Sequence, residues 1–137
     1  MALALFGILF SLFLLVYLVI LKKRRKTLLT ANGIYHKSVF HKLENKQATI
    51  LSLLKEKGQL STTEILSVIE NKALTYVHNI RLKNEFIDKL NNSIKLIFGL
   101  KEFPFYQIKG NKDNRIKYLT VSVGFCEILK NIDIKIV

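Results

Sequence analysis

The side chains best suited to chemistry in this sequence are three histidines and one cysteine. His36 and His41 lie near each other, but neither has a Cys or carboxylate at the spacing of a metal site. His78 stands alone, and Cys126 has no second cysteine for an internal disulfide, which suits a packed thiol in a reducing compartment. The six glycines form no phosphate-binding loop. The sequence therefore predicts a protein that is not an enzyme and that uses no metal or cofactor.

A run of cations gives a second candidate site, at a membrane surface. Lys22, Lys23, Arg24, Arg25 and Lys26 directly follow residues 2–21, which carry no charged side chain. An apolar helix of that length spans the roughly 30 Å of a bilayer core. A signal peptide would place its charges before a shorter apolar segment and end in a small-residue cleavage site. We therefore expect residues 1–21 to be an uncleaved transmembrane anchor.

The same cations set the expected orientation of the anchor. Basic residues next to a membrane-spanning helix stay in the cytoplasm. This places the short N-terminus outside and the remaining chain inside, as a single-pass protein of the cell (inner or cytoplasmic) membrane with the lipid bilayer as its first partner. A core helix of a soluble protein and a basic nucleic-acid tag are the rival interpretations. The length of the apolar run disfavours the first, and lipid headgroups so close to the cations disfavour the second.

Positive charge is not confined to this run. Five of the 22 Lys and Arg residues lie in it, so 17 remain against 10 acidic residues, a net charge of +7. The roughly 110 residues that carry this charge suffice for one compact domain. Residues 22–46 are interpreted as a basic juxtamembrane segment and connector, in which Asn32-Gly33 predicts a turn and HKSVFHKLE is compatible with a short helix.

The next segments carry helix start and stop signals. Residues 48–57 have an amphipathic stripe, and Gly58 stands where a helix ends. Ser61 and Glu64 fit a capping box, flanked by Leu60 and Ile65 as a hydrophobic staple. The sequence therefore predicts a first helix to residue 57, a short extended piece, and a second helix over about 62–70.

A third, longer helix is predicted from Tyr76 to Phe98, with Thr75 as its N-cap and Gly99 at its end. Its apolar residues share one arc at 100° per residue. The arc comprises Leu82, Phe86, Ile87, Leu90, Ile94, Ile97 and Phe98. After Pro104 the pattern alternates over 105–109 and 115–121, which predicts a hairpin with a polar, partly basic tip at 110–114. The tail, 122–137, packs on or extends the domain, as a strand or a short helix.

This order of elements resembles the winged helix-turn-helix family. The segments ILSLLKEKGQLSTTEIL and YQIKGNKDNRIKYLTV carry the resemblance, which covers residues 47–121. It implies that a domain of three helices and a β-hairpin wing follows the single N-terminal transmembrane helix, which makes the chain α+β. In that family the third helix enters the major groove of double-stranded DNA, and the wing contacts the backbone or minor groove.

The resemblance also implies which residues bind DNA. The start of the third helix would read bases, the start of the second would meet a phosphate through hydroxyls and backbone N–H groups, and the wing cations would contact phosphates. These candidates are, in that order, Thr75, Tyr76, His78, Asn79 and Arg81; Thr62 and Thr63; and Lys109, Lys112, Arg115 and Lys117.

The resulting hypothesis is a membrane-tethered, cytoplasmic DNA-binding transcription regulator. The alternative is a non-enzymatic adaptor or assembly subunit of a membrane complex, because Glu85 and Asp88 on the third helix would repel phosphates and the segment 125–137 is apolar. A partner membrane protein and a homodimer, paired through the connector or the tail, are further hypotheses. A peripheral RNA-binding role rests on charge alone.

Overall fold

The computed structural model describes residues 2–24, 27–113 and 115–135 of the chain. The predicted membrane-surface cations lie outside the described residues. They are the side chains of Lys22, Lys23 and Arg24 and the whole of Arg25 and Lys26. The described residues form an α+β structure with five helices and two sheets. The helices are α1 (Ala2–Arg24), α2 (Asn45–Lys57), α3 (Thr62–Ile69), α4 (Tyr76–Phe98) and α5 (Val123–Lys130). The strands are β1 (Leu28–Thr30), β2 (Gly33–His36), β3 (Val39–Lys42), β4 (Gln59–Ser61), β5 (Phe105–Lys109), β6 (Lys117–Val121) and β7 (Asp133–Lys135).

Helix α1 contains the apolar segment expected from the sequence. Its segment Ala2–Leu21 has a mean hydropathy of 2.9 and buries no residue against the rest of the described structure. The Ser11 hydroxyl donates to the Gly7 carbonyl at 2.9 Å, so this polar group is satisfied within the helix. α1 is long and apolar enough to cross a membrane, and a signal sequence near an N-terminus meets the same description.

The end of α2 and the start of α3 lie at the residues that carry the predicted capping signals. α2 starts at Asn45, three residues before the predicted start, and Gly58 caps its end with a φ of +80°, the left-handed conformation that favours glycine. The Ser61 hydroxyl accepts from the Glu64 N–H at 3.2 Å, and the Glu64 carboxylate accepts from the Ser61 N–H at 3.4 Å. This capping box starts α3 and confirms that prediction.

Helix α4 has the predicted bounds and most of the predicted buried face. Thr75 caps its N-terminus by accepting from the His78 N–H at 3.4 Å, and Gly99 closes its C-terminus with φ +61°. Ile87, Leu90 and Ile94 are fully buried, as expected. Leu82 is exposed, because it lies at the edge of the arc beside a shallow cleft between α4 and the end of α3.

Strands β4, β5 and β6 form one antiparallel sheet in the order β4-β6-β5. The hairpin β5–β6 was predicted, but β6 starts at Lys117 and not at residue 115. The reason is local: the Asp113 carboxylate accepts from the Arg115 N–H at 2.9 Å, and the Ile116 N–H donates to the Asp113 carbonyl at 3.2 Å. These bonds form a turn that occupies the residues expected to begin the strand.

A second sheet, in the order β3-β2-β1-β7, brings the connector and the tail together. Strands β1 to β3 are antiparallel, whereas β7 joins β1 in parallel through the register Leu28↔Asp133. The short helix considered for HKSVFHKLE is wrong. Lys37 and Ser38 form a tight two-residue turn between β2 and β3, with positive φ values of 51° and 65°. Such a backbone conformation matches the right-handed twist of the two strands that the turn joins.

Both sheets share one hydrophobic core. Leu29 and Ile34 of the second sheet pack in the same cluster as α2, α4 and the first sheet, and Phe125 of α5 and Ile132 complete it. The Lys55 ammonium donates to the Ile132 carbonyl, which ties α2 to the link between α5 and β7. Residues 28–42 and 123–135 are therefore part of the folded domain, and the tail forms both a helix and a strand.

Candidate nucleic-acid interface

The first turn of α3 is held against the β5–β6 hairpin. The Thr62 hydroxyl donates to the carbonyl of Lys117 at 3.3 Å, and β4, which leads into α3, pairs with β6 through Leu60↔Leu119. The Thr62 hydroxyl is thus engaged with the hairpin, whereas Thr63 is exposed. The α3 N-terminus and the base of the hairpin form one surface.

A carboxylate also lies in this first turn, and its charge is offset locally. Lys57 contacts Glu64 at 2.7 Å between Nζ and Oε2, with both side chains partly exposed. The hydrogen bond from Lys57 lowers the pKa of Glu64, and the same bond raises the pKa of Lys57. The ion pair reduces the repulsion that a free carboxylate would exert on an anion at the start of α3.

Asn79 does not lie on the exposed surface with the other candidates of α4. Its side chain is buried and closes the α3–α4 turn: Oδ1 accepts from the Asn71 N–H at 2.9 Å, while Nδ2 donates to the Asn71 carbonyl at 3.2 Å. The turn NKALTY contains no glycine, and this amide supplies the hydrogen bonds that hold it. We therefore remove Asn79 from the predicted base-reading residues.

The remaining candidates at the start of α4 are exposed. Tyr76 is 69% exposed, and His78 and Arg81 project from the next turns, while the Thr75 hydroxyl is used as the N-cap. Val77, 71% exposed, adds an apolar side chain to the same end of the helix. This surface is mixed in character, with one guanidinium, one imidazole and two large apolar or aromatic groups.

The hairpin concentrates positive charge. Lys109 and Lys117 are directly opposite each other in the strand register, and Lys112 and Arg115 are exposed at the tip. Like charges in opposite positions destabilise a strand pair. A cluster of cations at this position favours an anionic partner that would relieve the repulsion.

Sequence reasoning missed Lys83, which belongs to this surface. Only 4% of the residue is exposed, so its stem is packed against the domain, and its ammonium keeps some contact with solvent. Burial and the nearby charge of Lys117 lower the pKa of Lys83. Its position one turn before Ile87, on the buried arc of α4, was the signal that could have identified it.

The other residues considered for chemistry lie apart from this surface. His36, in the second sheet, shares a hydrogen bond with Thr27, with 2.9 Å between its Nδ1 and the Thr27 hydroxyl oxygen. Cys126 is half-buried in α5. Within the described residues, no three His, Cys, Asp or Glu side chains come together as metal ligands. Glu85 and Asp88 are exposed on α4, with Glu85 one turn beyond Arg81 on the same face.

Comparison of the chain with protein-family models, with curated proteins and with solved structures finds no match.

Proposed function

We propose that residues 45–121 form a winged helix-turn-helix domain that binds double-stranded DNA, tethered by α1 to the cytoplasmic face of the cell membrane as a transcription regulator. The order helix, strand, helix, helix, hairpin supports the assignment. The pairing of β4 with β6, the second strand of the hairpin, supports it further, because that pairing fixes the wing beside α3.

One observation carries the proposal: three elements bring polar or cationic groups to the base of the wing. The Thr62 hydroxyl bonds to the Lys117 carbonyl, and burial together with the charge of Lys117 lowers the pKa of Lys83. Cations that repel one another are stabilised by phosphate oxygens. A duplex lying here would offer its backbone to this cluster and its groove to the start of α4.

The roles divide by chemistry. Tyr76, His78 and Arg81 would reach base edges in the major groove, where an Arg side chain suits guanine. Lys109, Lys112, Arg115, Lys117 and Lys83 would contact phosphates, and Thr63 would donate its hydroxyl to one. Phosphate contacts set the register of the protein on the duplex and make the affinity depend on salt.

Membrane attachment is supported by the composition of α1. Its apolar surface is exposed along the whole span, a state that water disfavours and a bilayer core stabilises. The cations that follow it in the sequence favour a cytoplasmic location of the folded domain, because basic residues next to a membrane span are usually cytoplasmic.

The test is the salt dependence of DNA binding by the full chain in nanodiscs of zwitterionic lipid. Fluorescence anisotropy should show binding to duplex DNA at about 50 mM salt. The logarithm of the association constant should fall linearly with the logarithm of the salt concentration. The Lys109→Ala/Lys117→Ala variant should lower the magnitude of the slope by about 1.8, since each phosphate contact contributes about 0.9.

The matched control is Lys101→Ala/Lys130→Ala, which removes the same charge from exposed positions outside the hairpin. It should leave the slope near that of the unmodified chain. Absence of DNA binding at low salt, or equal slopes for the two double variants, would contradict DNA binding by this surface.

A second candidate function is an adaptor that binds a cytoplasmic protein partner. The observation that favours it is the apolar character of the α4 start, where Leu74, Tyr76 and Val77 are exposed together. Val77→Asp should then abolish a stoichiometric, DNA-free complex purified from membranes, whereas the hairpin double variant should retain it. The opposite pattern, with Val77→Asp retaining its partner, would contradict the adaptor.

A further inference from the structure

The end of the second sheet that bears Thr27 must lie close to the membrane anchor. Arg24 ends α1, and Leu28 begins β1. Three residue steps from Arg24 to Thr27 reach at most about 11 Å, even when fully extended. If α1 spans the bilayer, Thr27, the residue before β1, therefore lies within that distance of the end of α1, whatever path the connection takes.

The β2–β3 turn lies at this same end. In the strand register Leu28 is opposite Tyr35, and Tyr35 is opposite Phe40. The Thr27 hydroxyl is 2.9 Å from Nδ1 of His36, the last residue of β2. The turn at Lys37 and Ser38 comes directly after it. The chain that leaves the anchor thus meets the β2–β3 turn without crossing the domain.

The residues around this turn present an apolar and aromatic surface. Val39 is 55% exposed, Tyr35 44% and Phe40 43%. The rings of Tyr35 and Phe40 lie 4.8 Å apart on the sheet face that points away from the core. Phe40 also covers Gly33, where a Cβ would come within 2.8 Å of the ring. Val39 is paired with His36, so it lies on the other face of the hairpin. We call Tyr35, Lys37, Val39 and Phe40, which surround the tip on both faces, the hairpin-tip surface.

We propose that the hairpin-tip surface lies in the headgroup region of the bilayer that α1 spans. Tyrosine is favoured at the membrane–water interface because its ring is apolar and its hydroxyl is polar, and the exposed Val39 and Phe40 side chains are stabilised by leaving water. Lys37 at the turn and the five cations at residues 22–26 match the negative charge of anionic headgroups. Because the covalent link from the anchor is short, it holds this surface next to the membrane. No other kind of partner is held next to the surface in this way.

The docking orients the domain as well as attaching it. Phe98, at the end of α4, packs its ring against the ring of His36 at 4.5 Å between centroids, so the C-terminal end of α4 lies at the membrane-proximal end of the second sheet. The 23 residues of α4 extend about 33 Å from there. Tyr76, at the other end of the helix, should therefore be remote from the hairpin tip.

The chain contains no tryptophan, so single substitutions give unique fluorescent probes of depth. Val39→Trp places one at the hairpin tip, where the exposed side chain leaves room, and Tyr76→Trp places one at the far end of α4. Both full-length variants are reconstituted in nanodiscs holding one copy each, with lipids that carry a quencher at the headgroup or deep in the acyl chain.

Val39→Trp should emit at shorter wavelength than Tyr76→Trp and be quenched several-fold more strongly by the headgroup quencher than by the deep one. Equal emission and weak quenching of the two probes would overturn the proposal. So would a blue shift of Val39→Trp that lipid quenchers do not affect, because it would show that a protein surface covers the tip. Phe40→Trp provides a second probe if Val39→Trp does not fold, as judged by circular dichroism.

The proposal rests on membrane spanning by α1, which a third probe tests separately. Phe10→Trp lies near the midpoint of the apolar segment Ala2–Leu21 and should be quenched most by the deep quencher. Loss of that result would overturn the anchor and the docking together. Deep quenching of Phe10→Trp without headgroup quenching of Val39→Trp would overturn the docking alone.

Discussion

The side-chain amide of Asn91 makes two hydrogen bonds to the backbone of Phe105, one in each direction. Nδ2 donates to the Phe105 carbonyl at 3.1 Å, and Oδ1 accepts from the Phe105 N–H at 2.9 Å. Asn91 is buried in the middle of α4, and Phe105 is the first residue of β5. This pair of bonds fixes the start of the hairpin on the long helix without any contribution from the sheet.

Asn91→Ala should therefore destabilise the fold considerably. It would leave the buried N–H and carbonyl of Phe105 without partners, and each such group costs about 1–3 kcal/mol. We expect a loss of about 2–4 kcal/mol in the free energy of unfolding, measured by urea denaturation in micelles. Asn92→Ala, on the exposed face of the same helix, is the control and should change it by less than about 0.5 kcal/mol. Equal effects of the two substitutions would contradict the role of Asn91.

Asn79 gives a test that separates a structural role from base reading. Because its amide holds the α3–α4 turn, Asn79→Ala should lower the free energy of unfolding by about 2 kcal/mol. The exposed Asn84→Ala should not. A variant of unchanged stability with altered DNA sequence preference would show instead that Asn79 reads bases, contrary to the hydrogen bonds described above.

Lys83 is expected to favour binding at the expense of stability. Lys83→Met retains the packed stem but removes a positive charge that burial and the charge of Lys117 both disfavour, so the unfolding free energy should rise by about 1 kcal/mol. If the ammonium contacts a phosphate, the slope of DNA affinity against salt should fall in magnitude by about 0.9. Lys89→Met, exposed on the same helix, should change neither quantity. A Lys83→Met variant with lower stability and an unchanged slope would contradict both expectations.

His36 should make the stability of the domain depend on pH. Burial, followed by the charges of Lys37 and His41, lowers the pKa of His36 below its ordinary value. The unfolded chain then binds the proton more readily than the folded one, so stability is complete above about pH 6.5 and falls as the pH drops below it. The slope for one proton is at most about 1.4 kcal/mol per pH unit.

Thermal denaturation between about pH 7 and 5 measures this effect, over the range in which an ordinary imidazole takes up its proton. His36→Gln should flatten the dependence, and the exposed His78→Gln should leave it as it is. A steeper dependence in His36→Gln than in the unmodified chain would show that the sign is wrong.

Helices α3 and α4 and the end of α2 could be predicted from sequence because their signals are local. Ser61 with Glu64, Thr75, Gly58 and Gly99 each act within one turn of the chain, so spacing alone locates these ends. The hairpin β5–β6 was predicted for the same reason, apart from the Asp113 turn that delays β6.

The second sheet could not be predicted in this way. Its strands β1 and β7 have three residues each and lie more than one hundred residues apart, and the parallel register Leu28↔Asp133 has no signal in either segment. Strands as short as these can be assigned only when the core that they cover is known. The positive φ at Lys37 and Ser38, unusual for these residue types, concealed the turn between β2 and β3.

The buried polar residues of the site were missed for a related reason. Lys83 and Asn91 lie on the apolar arc of α4, where a polar side chain looks like an interruption of the pattern. Their partners, the hairpin base and the start of β5, come later in the chain. Only the tertiary structure pairs them.

The length of α4 separates the two polyanions that this small protein is proposed to bind, the bilayer surface and DNA. On the proposed arrangement, lipid headgroups lie near the Phe98 end and a duplex near the Tyr76 end, up to about 33 Å away. The Debye length at physiological salt is about 8 Å, so a separation of that size is several screening lengths. The helix would then serve as a spacer, and the bilayer would neither repel the DNA nor compete with it for the cations of the wing.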